Sequence, residues 1–180
     1  IDQWVAPIAL YPDNLLSQVL MASTYPGNVV QAVQWSQDHP TMKGDSAVQA
    51  VANQPWDPSV KSLVAFPALL ALMGENPPWV ENLGNAFLAQ PQDVMDSVQR
   101  LRAIARQTGT LKSTPQQKII TATNSAVPST STSMTTASRS SSAVTSSAPA
   151  PVIIKIESTD PNVVYVPAYN PSVVYGAWPD

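Results

Sequence analysis

Through the first two thirds of the chain, apolar positions recur every three or four residues, the period of helices that bury one face. Leu15, Leu16, Val19 and Leu20 form one stripe, and Val29, Val30 and Val33 a second. Val94, Val98, Leu101 and Ile104 or Ala105 form a third, on a helix running from about Pro91 to Gln107. Prolines stand where such helices would open: Tyr11-Pro12-Asp13, Tyr25-Pro26, Asp57-Pro58, Asn76-Pro77, Gln90-Pro91 and Thr114-Pro115. Proline suits a first helical turn, because the N–H it lacks would have no partner there. Asp57, Asn76 and Thr114 can accept from exposed backbone N–H groups as N-caps, and Gly44-Asp45-Ser46 offers a further start. Pro67 should interrupt the run from Pro58 to Gly74, and Gly109 should stop the Pro91 helix. Asp96 and Arg100, four apart, are expected to pair on its outer face.

The pattern then changes twice. From Ser125 to Ser147, 15 of 23 residues are Ser or Thr. That composition buries too little apolar surface to offset chain entropy, so it reads as a flexible arm. As a free coil, residues 123–151 would span about 30 Å, and pulled straight about 95 Å. Beyond it, Val152 to Glu157, Val163 to Val166 and Val173 to Tyr175 read as short β-branched and aromatic strands, broken by Pro161, Pro167, Pro171 and Pro179. Asp-Pro-Asn-Val-Val-Tyr at Asp160 returns as Asn-Pro-Ser-Val-Val-Tyr at Asn170. The expected fold is mainly α: an irregular bundle of about six or seven short Pro-initiated helices over residues 1–122. The Ser/Thr/Pro-rich arm follows at 123–151, and a small β tail with its ten-residue repeat at 152–180. Such strands are marginal alone, so they need a surface to pack on.

Composition adds a charge asymmetry. Residues 1–96 hold nine acids against two lysines, a net charge of −7. Residues 97–156 hold seven bases, Arg100, Arg102 and Arg106 among them, and no acid. An acidic body followed by a basic stretch can steer self-association or binding to an anionic surface. A sequence pI near 4.9, with no aromatics beside the arginines, speaks against nucleic-acid binding. The absence of cysteine excludes disulfides and thiolate chemistry and permits an oxidising compartment. The longest apolar run, Leu63 to Met73, is too short to cross a bilayer. Ile1 opens without a basic start or an apolar h-region, consistent with a processed end.

Four stretches carry a family resemblance. They are APIALYPDNLLSQVLMASTYP (Ala6 to Pro26), QPWDPSVKSLVAFPALLALM (Gln54 to Met73), LKSTPQQK (Leu111 to Lys118) and DPNVVYVPAYNPSVVYG (Asp160 to Gly176). Together they resemble the bacterial domain-of-unknown-function family numbered three thousand three hundred, over nearly the whole chain except the Ser/Thr tract. The resemblance implies an exported envelope protein of Gram-negative bacteria, in the periplasm, on the outer surface or outside the cell. It implies no activity, cofactor or catalytic residue. Many relatives continue beyond such a tail, so an end at Asp180 is expected to be a truncated one.

Candidate chemistry is sparse. His39 is the one histidine, with no second His or Cys to share a metal, and its place at a helix end suits capping. Asp93 with Asp96, and Glu75 with Glu81, are the best carboxylate pairs, yet the first turn of a helix explains Asp93 equally well. Trp4, Trp35, Trp56 and Trp79 could stack on sugars, or wedge helices together. No catalytic constellation, metal site or cofactor is expected. The reading is a non-catalytic, exported structural or interaction protein, joining itself, in head-to-tail filaments, or an envelope partner. The interaction residues would be Val163, Val164, Tyr165, Tyr169, Val173, Val174, Tyr175 and Trp178 of the tail, with Arg100, Arg102 and Arg106. The alternatives are a cell-wall glycan-binding module and a carboxylate-dependent polymer hydrolase.

Overall fold

The computed structural model describes residues 1–123, 152–160 and 164–176. Helices α1 (Asp2–Val5), α2 (Asp13–Ser23), α3 (Pro26–Asp38), α4 (Asp45–Ala50), α5 (Pro58–Leu63), α6 (Pro67–Glu75), α7 (Pro77–Ala89) and α8 (Pro91–Gln107) come first. Strands β1 (Gln117–Thr123) and β2 (Val152–Ser158) and a last short helix, α9 (Pro171–Tyr175), complete the order. Proline opens six of these helices. The residue before each of Pro26, Pro67, Pro77 and Pro91 has φ between −121 and −141°, outside the α conformation that the pyrrolidine ring disfavours there. Asp57 and Asn76 cap as expected, accepting from the N–H of Ser59 and Trp79. Pro67 divides α5 from α6, and Gly109 ends α8 at φ +76° while Thr110 and Leu111 both donate to the Ala105 carbonyl.

α2 lies at the centre, packed on α3, α5, α7 and β2. Leu15, Leu16, Val19 and Leu20 are buried there, and Val94, Val98, Leu101 and Ala105 are buried on α8, while Ile104 turns toward solvent. Gly84 lets α7 close on the end of α2, since a Cβ there would sit 2.1 Å from the Ser23 carbonyl oxygen. A second, smaller cluster gathers Leu10, Ala105, Leu111, Ile154, Ile156 and Val174 under the strands.

Four expectations need correction. Thr114-Pro115 opens no helix: the Thr114 hydroxyl accepts from Gln116 and Gln117 N–H, closing a tight turn. The β-branched run Ile119-Ile120-Thr121 then continues as β1. Val173 to Tyr175 is helical in α9, because Asn170 caps the Ser172 N–H and Pro171 takes the first turn. Val164 to Val166 forms no strand; Val163, like Trp178 and the Ser/Thr tract, lies outside the described residues. Val30 is 56% exposed and leaves the α3 stripe.

β2 pairs antiparallel with β1 of the same chain, Gln117 opposite Ser158 and Thr123 opposite Val152. Thr123 and Val152, the residues on either side of 124–151, therefore stand opposite each other at one end of the ladder.

Candidate functional site

The densest polar chemistry in the molecule is built around Arg102. Its position on α8 falls in the stripe that faces the core, so its side chain is 1% exposed. Nε donates to the Ala9 carbonyl at 2.8 Å, Nη2 to the Tyr11 carbonyl at 3.0 Å, and Nη1 to the Ile154 carbonyl at 2.8 Å and to Asp13 Oδ1 at 2.6 Å. The planar fork thus ties three carbonyls, from the α1–α2 connection and β2, and the first residue of α2 to one point. Burial pulls the guanidinium pKa down, and Asp13 acts against it. Asp13 Oδ1 also accepts from the Ile156 N–H.

One turn earlier, the Gln99 amide grips Ile154 on both sides: Ile154 N–H donates to Oε1 at 2.7 Å and Nε2 donates to the Ile154 carbonyl at 3.2 Å. Gln99, Arg102 and Asp13 together replace the neighbouring strand that β2 would otherwise need on its outer edge. A cavity of about 290 Å³ lies beside this clamp, lined by Asp13, Gln99, Arg102 and Met95 among others.

Tyr169 closes the second link. Its hydroxyl donates to the Ala6 carbonyl at 2.6 Å and accepts from the Leu10 N–H at 3.2 Å. Its ring meets Tyr11 and Tyr175 edge-on, with centroids 6.5 and 6.4 Å apart. Burial raises the Tyr11 and Tyr175 phenols to about 12 and pushes Tyr169 up as well.

The expected interaction residues therefore divide. Arg102, Tyr169 and Val174 are spent within the chain, and Tyr165, Val164 and Tyr175 are half-buried against its own body. Arg100 pairs with Asp2 rather than Asp96, which accepts from Gln92 instead. Burial would raise the Asp2 carboxyl, but hydrogen bonds from Arg100 and Ser97 outweigh it and hold it below the usual range. Arg106 is exposed, and Val173, at 81%, is the most exposed large apolar side chain among the described residues.

Several of the tryptophans make contacts within the fold. Trp56 is buried and donates to Gln31, and Trp79 donates to the Trp4 carbonyl. Trp35 stacks on His39, whose Nδ1 lies 2.8 Å from the Trp35 carbonyl at the end of α3. Asp93 and Asp96 line an open depression with Asp2, Trp4 and Arg100. Among the described residues no three His, Asp or Glu side chains converge as metal ligands, and no helix is long and apolar enough to cross a membrane.

One apolar groove, of about 300 Å³, opens between α3, α6 and α7, lined by Val30, Val33, Met73 and Val80 with Gln34 and Glu81 at its polar side. A neighbouring depression shares Pro26 and Glu81 with it and extends the groove along α7 to Leu88, itself 67% exposed. Sequence periodicity missed it, because Val30 and Leu88 look like core residues until α3 and α7 are placed.

Comparison with known proteins gives a family and one curated relative. The family described as "Protein of unknown function (DUF3300)" matches residues 1–180. "Uncharacterized protein YacH" of Escherichia coli (strain K12) is 65% identical over 182 aligned residues, covering 99% of this chain and 30% of that protein. The chain therefore spans less than a third of that relative's length. No solved structure matches.

Proposed function

The chain belongs to the DUF3300 family, and on its geometry we propose that it is a non-catalytic, exported structural module that assembles with itself or with an envelope partner. The observation that carries this is the use made of its polar groups. The buried Arg102, with its partner Asp13, is consumed in clamping β2 and the α1–α2 connection. What the described residues leave outward is an apolar groove and the Val173 helix. Exposed apolar surface of this kind supports a binding role.

The β1–β2 ladder supplies the test. Because Thr123 and Val152 stand opposite each other, residues 124–151 can be replaced by Asn-Gly, a two-residue turn that suits the ladder. The parent and the shortened chain are then compared by light scattering and negative-stain microscopy over a range of concentrations, and by co-sedimentation with isolated cell-envelope fractions. Assembly, or envelope binding that the shortened chain loses, supports the reading. A parent that stays monomeric and sediments with envelopes no better than the shortened chain refutes it.

A further inference from the structure

We propose that the groove between α3, α6 and α7 receives the α9 end of a second copy of this chain, with Val173 as the inserted side chain. This rests on the assembly reading above and names its two surfaces.

The two surfaces are complementary and lie apart. α3 and α6 touch none of α8, α9, β1 and β2, and of the groove helices only α7 meets α8. The three helices that form the groove carry Asp38, Glu75 and Glu81 and no lysine or arginine. Among the elements α9 packs on α8 alone, at the end of that helix that carries Arg106. Val174 is seated in the cluster with Ala105 and Leu111. Arg106 and Lys112, the residues that follow these two in sequence, are both exposed.

Shape agrees with charge. α9 is held by its buried Val174 and by Tyr175 against Tyr169, and its N-terminus is capped by Asn170. Val173 is therefore presented on a fixed short helix, not on a loose end. A cavity of about 300 Å³ accommodates a valine side chain with room for its flanking turn. The apolar wall of Val30, Val33, Met73 and Val80 meets the knob, and Glu81 at the margin faces the basic rim. Because knob and groove are different patches on the same molecule, the contact is head-to-tail and leaves one of each unfilled at every stage, so assembly continues.

Val173→Asp and Val30→Asp test this without threatening the fold, since both positions are exposed. Matching circular dichroism and melting of the two variants with the parent establishes that they fold. The expected result is a parent whose mass grows with concentration and falls with added salt, and two variants that are each monomeric. Mixed, they form a 1:1 dimer that grows no further, because Val30→Asp keeps its knob and Val173→Asp keeps its groove. Glu81→Lys weakens assembly, and Glu81→Lys combined with Arg106→Glu restores part of it. A parent that assembles while Val173→Asp assembles equally, or a mixture that stays monomeric, overturns the assignment and leaves self-assembly by another surface standing. A parent monomeric at every concentration overturns it too, and leaves envelope binding as the surviving part of the broader reading.

Discussion

Replacing Arg102 with methionine removes the fork and keeps most of the buried stem. The carbonyls of Ala9 and Tyr11 lose their donor, that of Ile154 keeps only the Gln99 amide, and Asp13 loses its cation. Each buried acceptor left unpaired costs about 1–3 kcal/mol, which sets an upper range near 6 kcal/mol for the two. Two features reduce it. Asp13 is 42% exposed, so its share of the ion pair is screened by water. The cavity beside Gln99 and Arg102 also lets water approach the stranded groups. The expected loss is about 3–5 kcal/mol, the range found when one partner of a buried ion pair is removed. With a urea slope of about 2 kcal/mol/M, the midpoint falls by about 2 M. Urea titration followed by circular dichroism measures it. Arg100→Met is the control: that side chain is 57% exposed, and losing a surface ion pair costs at most about 1 kcal/mol. Arg102→Lys should fall between, since one ammonium cannot serve four acceptors in a plane. A midpoint for Arg102→Met within about 0.5 M of the parent, a deficit near 1 kcal/mol at that slope, would mean that α8 and β2 are held by apolar packing and that the fork adds little.

Other substitutions probe the remaining joints. Gly84→Ala should destabilise by about 1–3 kcal/mol through forced separation of α7 from α2, whereas Gly74→Ala, which meets only the Val33 side chain, should cost less; paired thermal melts rank them. Tyr169→Phe removes the donor to Ala6 and the acceptor for Leu10, and a loss of about 1–3 kcal/mol is expected in urea titration. Alkaline titration reads the tyrosine cluster. Above pH 10.0 the unfolded chain releases phenol protons that folded Tyr11 and Tyr175 keep until about 12, so stability falls as pH rises through that window. Phenolate absorbance from these residues should therefore appear together with loss of helix; a fold that survives while every tyrosine titrates near pH 10.0 contradicts their burial.

Much of the bundle was legible because its signals are local. A proline in a first turn, an Asp57 or Asn76 cap and a Gly109 stop act within four residues, and each was placed by its own neighbourhood. Errors fell where local chemistry is ambiguous. Thr114-Pro115 suits a helix start as well as a turn, and only the β-branched residues after it decide between them. Val173-Val174-Tyr175 has strand composition, yet Asn170 and Pro171 impose a helical turn. The clamp was not legible at all. Arg102 follows Val98 by four residues and so lies on the core stripe, but an arginine there reads as a solvated charge until Ile154, 52 residues on, supplies its carbonyl.

The span of these contacts bears on the order in which the molecule is made. The Tyr169 hydroxyl and the Ala6 carbonyl are 163 residues apart, and Asp13 and Ile156 are 143 apart. Helical proteins fold quickly when their contacts are local; here the helices are local but the lock is not. A chain emerging N-terminus first, from a ribosome or through a channel, can wind α1 to α8 and still hold an Arg102 with no Ile154 to grip. It stays unlocked until β2 and Tyr169 arrive, so the waiting time is set by the length of the Ser/Thr segment that precedes them. Lengthening that segment delays the final step while changing the loop-closure term only slightly, by about 0.6 kcal/mol per doubling. Its length is therefore a timing variable more than a stability variable, one that can drift while the clamp at both of its ends stays the same.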